Sequence, residues 1–275
     1  MIGERRVTLK SSAQVERMAV AGRLVAAVLD RMDAELRPGV TTGELDAIAD
    51  EMIRAAGATP SFIGVPGPRG PFRHATCISL DDEVVHGIPG QRRVRAGQVV
   101  SIDVGAIVEG WHGDAARTWI VGDVPDHVRQ LVEATREAMY AGIAAARPGA
   151  YMADVSGAIE DVALAHGYGI VRQFVGHGIG TEMHEEPQVT NYRTGSRGRR
   201  LEPGLCLAIE PMFTLGGHPV RVQPDGWTVV TADGSLAAHW EHSIAITADG
   251  PRVLTAAGAP AAVEAMAALP GGSAL

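Results

Sequence analysis

The stretch Ala96-Gly97-Gln98-Val99-Val100-Ser101-Ile102-Asp103 returns 107 residues later as Pro203-Gly204-Leu205-Cys206-Leu207-Ala208-Ile209-Glu210. In both, a glycine precedes a short apolar run, which is the pattern of a buried strand, and a carboxylate follows the isoleucine. We interpret the two stretches as copies of one structural unit, related by a pseudo-two-fold axis near which the carboxylates would meet. Chance similarity in a chain rich in glycine and alanine is the alternative.

The helices predicted around these strands repeat as well. Arg37-Pro38-Gly39 and Arg147-Pro148-Gly149, which are 110 residues apart, each separate two helical patterns. These patterns predict helices over 12–36, 41–56, 128–146 and 152–165, the second of them starting at a capping box of Thr41 and Glu44. Runs rich in valine, isoleucine and threonine predict strands at 76–80, 99–108, 115–121, 205–209, 228–232 and 242–247.

This order of elements favours an α+β class with antiparallel strands, because few helices separate the strands. A length of 275 residues allows one large domain. We expect an N-terminal arm over 1–11, a single catalytic domain over 12–255 with pseudo-repeats of about 12–123 and 124–255, and an Ala/Gly-rich tail over 256–275. The polar stretch 187–204 is expected to be a loop.

The composition excludes several functional classes. The net charge of −8 lacks the basic footprint of a nucleic-acid binder, so no sequence-specific nucleic acid is expected as a partner. No run of about 18 apolar residues indicates a membrane span, and the polar residues 1–6 lack the apolar core of a signal peptide. The only cysteines, Cys77 and Cys206, suit a reducing compartment. These features predict a cytoplasmic protein with no membrane partner.

Asp103 and Asp114 lie on two neighbouring predicted strands joined by a short turn. A turn between positions 108 and 109 would place them directly opposite each other, whereas a turn formed by Glu109 and Gly110 would leave them diagonal but still within reach. Two carboxylates on one buried face repel unless one is protonated or a cation lies between them. The alternative is that both are solvated at the end of a strand.

Three more segments carry polar groups at positions that predict chemistry. His177 lies within Gly176-His177-Gly178-Ile179-Gly180, whose glycines would let another group approach the backbone. Glu210 ends one apolar strand and Glu241 interrupts another, where a charged group is costly unless it is paired. A histidine satisfied in the core and ion pairs with lysine or arginine are the alternatives.

The four carboxylates together indicate a dinuclear metal site. Their four negative charges would balance two divalent cations about 3.5–4 Å apart. Oxygen-rich ligands with one imidazole favour Mn, Fe, Co or Zn. His86 and His184 are then candidates to hold the substrate or its oxyanion.

A set of motifs covering about residues 8–248 resembles one known family. The motifs are Leu9-Lys10-Ser11, Asp82-Glu83-Val84-Val85-His86-Gly87-Ile88-Pro89, Ile102-Asp103-Val104-Gly105 with Asp114, Gly176-His177-Gly178-Ile179-Gly180, His184-Glu185-Glu186-Pro187, Ile209-Glu210-Pro211 and Trp240-Glu241-His242. In this order they resemble the type I methionine aminopeptidases of peptidase family M24. The resemblance implies the duplicated "pita-bread" fold, a curved antiparallel sheet covered by helices, which agrees with the internal repeat.

The resemblance also implies roles for individual residues. It implies five ligands for two divalent metal ions: Asp103, Asp114, His177, Glu210 and Glu241. Of these, Asp114 and Glu241 would bridge the two ions. Glu210 would also be the general base, and His86 and His184 would contact the substrate and stabilise the tetrahedral intermediate. The implied reaction is hydrolytic removal of the initiator methionine from nascent polypeptides with a small second residue, by a monomeric enzyme.

The pocket for methionine departs from the family pattern. By resemblance, Cys77 and Trp227 line it, Phe72 takes the place of an aromatic residue, and Met183 stands where an aromatic residue is frequent. Met183 is flexible and apolar, so it could still cover the pocket. Plain packing is the alternative for both Met183 and Cys77. The departures concern affinity and tolerance of the second residue and leave the metal chemistry unchanged.

Two other functions remain open at this stage. An Xaa-Pro aminopeptidase or prolidase would share the metal ligands, although those enzymes usually carry an extra N-terminal domain that we do not expect here. An inactive binding module would have lost a ligand, and all five are present. The arginines over Arg193–Arg200 further suggest a contact with ribosomal RNA, for which a solvated charged loop is the alternative.

Overall fold

The computed structural model describes residues 7–256, so the predicted tail lies outside the described residues apart from its first residue. Four long helices are present within that range, at α1 (Ser12–Glu35), α2 (Thr42–Ala55), α3 (Asp126–Ala145) and α4 (Met152–His166). All four agree with the predicted helices to within two residues. The capping box of Thr41 and Glu44 is confirmed, because Thr41 accepts from the Glu44 amide and the Glu44 carboxylate accepts from the Thr41 amide.

The strands are short except for one long hairpin. In chain order they are β1 (Thr59–Pro60), β2 (Thr76–Leu80), β3 (Glu83–Val85), β4 (Gln98–Val108), β5 (Trp111–Val121), β6 (Gly169–Ile170), β7 (Gly176–Gly178), β8 (Glu185–Val189), β9 (Cys206–Ile209), β10 (Met212–Thr214), β11 (Val220–Val222), β12 (Val229–Thr231), β13 (Ala237–His239), β14 (His242–Thr247) and β15 (Gly250–Val253). The stretch 187–204 is not all loop, since β8 continues to Val189 and the loop begins after it.

Every strand pair is antiparallel, as the α+β prediction requires. The first half builds a sheet in which β4 pairs with β5 on one side and with β1 and β2 on the other. The second half builds a sheet in the order β15-β14-β9-β7-β8. Two three-stranded sheets, β13-β10-β6 and β11-β12-β3, complete the fold. The strands therefore divide among four hydrogen-bonded sheets, and the predicted α+β class with antiparallel strands is confirmed.

Each half covers its main sheet with its own two helices. In the first half, apolar side chains of α1 and α2, including Leu29 and Leu45, share a core with β2 and β4. In the second, Met139 of α3 and Ile159 of α4 share a core with β9 and β14. In each half, the helix pair is held on its sheet because packing removes apolar surface from water. The two halves thus have equivalent cores, as expected for a duplicated architecture. No helix in residues 7–256 has the length and hydropathy needed to cross a bilayer.

The turn of the long hairpin decides how its two aspartates face each other. Glu109 and Gly110 both have positive φ angles, 49° and 80°, which is typical of the two-residue type I′ turn. Val108 therefore pairs with Trp111, Asp103 lies opposite Ala116, and Asp114 lies opposite Gly105. Of the two arrangements considered above, the structure has the diagonal one. Both carboxylates still lie on one face of the hairpin.

Candidate active site

One pocket brings together all the side chains that the sequence singled out. The pocket is lined by Phe62, Val65, Phe72, Cys77, His86, Asp103, Asp114, His177, Met183, His184, Glu210, Trp227 and Glu241. The lining separates into a polar end, with the carboxylates and histidines, and an apolar end. Asp114 is only 3% exposed, so the alternative in which both aspartates are solvated at a strand end does not hold.

The first half supplies two carboxylates from the inner face of its hairpin. Asp103 and Asp114 share this face with Ser101 and Thr118. The hydroxyl oxygens of Ser101 and Thr118 lie 2.8 Å apart. Thr118 also donates to the carbonyl of His239 and accepts from the amide of the same residue, at 2.6 Å and 3.0 Å. This reciprocal bond joins the hairpin to the second half at the level of the pocket.

The second half supplies its polar groups from one strand and from the ends of two others. His177 is the middle residue of β7, Glu210 directly follows β9, and Glu241 directly precedes β14. The amide of Glu241 donates to the carbonyl of Ala116, and the Ser243 hydroxyl donates to the carbonyl of Asp114 while accepting from its amide. These bonds hold β14 against β5, so carboxylates from both halves meet.

The ligand atoms at the polar end lie close enough to share cations. Single ligand atoms of Asp114, His177 and Glu241 all lie within 4.8 Å of one another. Nε2 of His177 lies 3.9 Å from Oδ2 of Asp114 and 3.5 Å from Oε1 of Glu210. Nδ1 of His177 lies 2.9 Å from the carbonyl oxygen of Gly178. When Nδ1 donates to that oxygen, the lone pair of Nε2 faces the carboxylates, which is the tautomer of a metal-ligating histidine.

The electrostatics of this end fit a bound cation. Burial raises the pKa of Asp103 to about 7 and that of Glu210 to about 8. Burial also raises the pKa values of Asp114 and Glu241, and the neighbouring carboxylates add to both increases. No lysine or arginine between residues 7 and 256 forms an ion pair with these four groups. Buried oxygens of Asp103, Asp114 and Glu241 also have no hydrogen-bond partner there, so the residues present fit divalent metal ions.

Two further histidines face the polar end as neutral groups. The ring of His184 lies 4.4 Å from that of His177, and burial lowers the pKa of His184. Burial, with His239 and His184 nearby, lowers the pKa of His86 to about 4. His86 has a φ of 60°, and its ring meets Phe174 edge-on with centroids 5.4 Å apart. A neutral imidazole carries one N–H, so both residues can donate a hydrogen bond at neutral pH.

The apolar end forms a small hydrophobic cluster. Phe72 meets Trp227 edge-on, with ring centroids 5.0 Å apart, and Cys77 and Met183 pack in the same cluster. Burial, followed by the charge of Asp103, raises the pKa of Cys77 well above its ordinary value, so this side chain is a thiol. Phe72, Cys77, Met183 and Trp227 therefore line the pocket where an apolar substrate group would lie.

Sequence reasoning missed three lining or neighbouring residues. Phe62 and Val65 complete the apolar wall. His239 is 2% exposed, and its Nε2 lies 3.6 Å from Oε2 of Glu210. A usable signal existed for His239, because it stands two positions before Glu241 and residues two apart share a face of an extended chain.

The glycines around His177 serve packing between strands. A Cβ on Gly176 would meet the carbonyl oxygen of Ala208 at 2.4 Å, and one on Gly178 would meet that of Glu186 at 2.3 Å. The groups that approach this backbone are therefore the adjacent strands β9 and β8. This close approach brings His177 and Glu210 to the same pocket.

Comparison with known proteins identifies the family. Residues 16–248 match the model of metallopeptidase family M24. The chain is 48% identical over 260 residues to methionine aminopeptidase 1 of Mycobacterium tuberculosis, covering 92% of this chain and 96% of that protein. The chain belongs to the methionine aminopeptidases of metallopeptidase family M24.

Solved structures separate this family from the rival considered above. Methionine aminopeptidase from Thermotoga maritima superposes with a TM-score of 0.87 at 40% identity, covering 92% of this chain and all of that one. The Xaa-Pro dipeptidase from Bacillus anthracis superposes with a TM-score of 0.73 at 22% identity, and the match covers only 62% of its length. The likeness to the dipeptidase shows the shared fold alone. The likeness to the Thermotoga maritima methionine aminopeptidase covers the whole of that solved structure.

Proposed function

We propose that this protein hydrolytically removes the N-terminal methionine from nascent polypeptides with a small second residue, acting in the cytoplasm as a metal-dependent monomer. The observation that carries the proposal is the pocket itself. Four buried carboxylates and one neutral histidine, unpaired with any cationic side chain of the described region, lie at the end of an apolar cleft. Family membership and this donor set support the same chemistry.

The polar end would hold two divalent ions through five residues: Asp103, Asp114, His177, Glu210 and Glu241. Their oxygen-rich set suits Mn, Fe, Co or Zn. Asp114 and Glu241 come from the two halves and are held together through the bonds between β5 and β14, so both would hold the ions where the halves meet. When bound, the ions would lower the pKa of a water molecule and polarise the scissile carbonyl.

The chain's own groups then move protons and orient the substrate. Glu210 is the proposed general base, taking the proton of the attacking water on its carboxylate and passing it to the leaving amine. His184 and His86 are neutral and face the same end, so their N–H groups would donate to the developing oxyanion. Rate enhancement from such preorganised donors is typically about 10²–10³-fold for each donor.

The apolar end would receive the methionine side chain. Phe72, Cys77, Met183 and Trp227 offer aromatic and sulfur surfaces, which suit a flexible thioether. The same pocket also has to hold the scissile bond, which would leave little space for the residue after methionine. We propose this limit as the reason for a small second residue.

One experiment tests the whole proposal. The protein is stripped with a chelator and reloaded with Co, Mn, Fe or Zn singly. Release of free methionine from Met-Gly-Met-Met is measured beside a Met-Leu peptide and Gly-Pro peptides. We expect metal-dependent release from Met-Gly-Met-Met alone. Cleavage only before proline would assign the Xaa-Pro activity, and absence of cleavage with metal bound would favour the inactive binding module.

The arginines over Arg193–Arg200 bear on where the protein acts. Arg193 bonds Glu160 and Asp161, Arg199 bonds Glu202, and the Arg197 guanidinium lies 3.8 Å from the ring centre of Tyr151. The loop therefore uses much of its positive charge within the chain. A ribosome contact remains a proposal, and sedimentation with ribosomes of a variant in which these arginines are replaced by Glu tests it; unchanged sedimentation would contradict it.

A further inference from the structure

A buried ion pair lies directly behind the loop that carries two pocket residues. Nζ of Lys10 lies 2.5 Å from Oε2 of Glu185, and the two side chains are only 4% and 10% exposed. Residues 180–185, here called the 180–185 loop, carry Met183 and His184 into the pocket. Neither partner of the pair lines the pocket, so the roles proposed above leave the pair unexplained.

Glu185 uses both of its oxygens to hold this loop in shape. Oε1 accepts from the amides of Thr181 and Glu182, at 3.0 Å and 3.3 Å. Oε2 accepts from Lys10 and from the Thr8 hydroxyl, the latter at 2.6 Å. Burial alone would raise the pKa of Glu185, but the bonds from Lys10 and Thr8 lower it below the ordinary value. The carboxylate is therefore an ionised centre that ties the loop to the N-terminal arm.

The arm itself is anchored to the body of the protein. The amide of Lys10 donates to the carbonyl of Gly204 at 2.7 Å. A Cβ on Gly204 would meet the carbonyl oxygen of Lys10 at 2.5 Å, and a Cβ on Gly180 would meet Oε1 of Glu185 at 2.4 Å and Cε of Lys10 at 2.5 Å. Both positions need a glycine, because any side chain there would occupy space that Lys10 fills. The ion pair of Lys10 and Glu185 therefore fits closely into its surroundings.

We propose that Lys10 is a positioning residue, which acts through Glu185 to fix the 180–185 loop and thereby the place of His184 and Met183 in the pocket. The inference rests on the proposed function, because the aminopeptidase reaction is what His184 is placed to serve. The lysine touches neither the substrate nor the metal ligands. Its loss should therefore change the loop and the turnover while leaving metal binding intact.

Lys10→Met tests the proposal, with Arg252→Met as the matched control. Arg252 pairs with Glu16 on α1, and both side chains are largely exposed, so the control removes an ion pair that also joins the first helix to the body. Three measurements are made: steady-state kinetics with Met-Gly-Met-Met, which give kcat and KM; bound metal; and amide hydrogen exchange over residues 180–185. For Lys10→Met we expect kcat/KM to fall on the order of 10–100-fold, with faster exchange in the loop and unchanged metal content. The control should match the wild type in all three.

Two further variants keep the test decisive. Gly180→Ala disturbs the same pair from the other side and should reproduce the changes of Lys10→Met. Lys10→Met with Glu185→Gln removes the charge that the single change would leave buried, so it should fold even if the single variant fails to. Wild-type kcat/KM and loop exchange in Lys10→Met or the double variant would overturn the proposal, as would an equal loss in Arg252→Met. A wild-type protein that releases no methionine would instead refute the proposed function, whatever the loop does.

Discussion

The free energy of unfolding of the metal-free protein should fall as the pH rises above neutrality. Burial raises the pKa of Glu210 to about 8 and that of Asp103 to about 7, both well above the ordinary values for carboxyl groups. An acid whose pKa is higher in the folded state stabilises that state fully at a pH below its unfolded pKa. This contribution is lost as the pH rises through the folded pKa.

Buried histidines also make stability depend on pH, so the effect of the carboxylates has to be measured where the histidines contribute little. Burial lowers the pKa values of His86 and His242 to about 4 and that of His177 to about 3. A base with a lowered folded pKa makes stability rise with pH, up to its unfolded pKa near 6.5. Between pH 7 and 8 these histidines are neutral in the folded state and mostly neutral in the unfolded state, so their opposing contribution is small. The four carboxylates then determine the slope.

The free energy of unfolding falls by about 1.4 kcal/mol per pH unit for each proton that the folded state holds and the unfolded state has lost. Glu210 holds most of a proton at pH 7 and about half of one at pH 8, and the pKa values of Asp114 and Glu241 are raised as well. We therefore expect the chelated protein to lose at least about 1 kcal/mol of unfolding free energy between pH 7 and 8.

Urea unfolding at pH 7.0, 7.5 and 8.0, with chelator and with saturating Mn, measures this slope. Metal requires ionised ligands, so the stabilisation that Mn gives should grow across the same range. Glu210→Gln removes one of the titrating groups, and its chelated form should show a shallower slope. A chelated wild-type protein that is as stable at pH 8 as at pH 7, or more so, would refute the placement of these carboxylates in a dry cluster.

Three further predictions concern the site. His177→Ala should lose bound metal and lower methionine release by several orders of magnitude; wild-type metal content by elemental analysis would contradict its assignment as a ligand. His184→Ala should keep its metal but lower kcat about 10²–10³-fold, as loss of one oxyanion donor does, and an unchanged kcat would remove it from that role. Gly67→Ala places a Cβ 2.1 Å from Cζ2 of Trp227, so the ring must move; we expect KM for Met-Gly-Met-Met to rise about 10-fold, the scale of an apolar contact in a specificity pocket, and an unaltered KM would show that Trp227 is not part of it.

The helices and the main strands could be predicted because their signals are local. Proline and glycine end the helices, the capping box of Thr41 and Glu44 starts one, and β-branched runs mark the strands. Strands as short as β6 or β13 could not be predicted, since two or three residues carry no period. The hairpin register stayed open for a similar reason: two turns one residue apart fit the same letters, and only the positive φ angles at Glu109 and Gly110 decide between them.

The members of the site were predictable, but the contacts that assemble them were not. A charged residue at the end of an apolar strand stands out in a sequence, as Glu210 and Glu241 do. The reciprocal bonds of Thr118 with His239 and of Ser243 with Asp114 join residues more than 100 positions apart. Serine and threonine are too common in strands to indicate such bonds. His239 was missed although its place two positions before Glu241 offered a signal, because the sequence does not show that it faces Glu210.

The division of the ligands between the two halves has a consequence for the ancestry of the fold. Asp103 and Glu210 occupy matching places in the repeat, each beside the isoleucine of a central strand. A polypeptide consisting of one half alone would hold only part of the set, and it could complete a site only by pairing with an identical copy across the axis. Such a pair would carry the same carboxylates twice and be equivalent on both sides. Two copies fused in one chain would be free of that constraint, because one side can carry His177 while the other carries the hairpin aspartates.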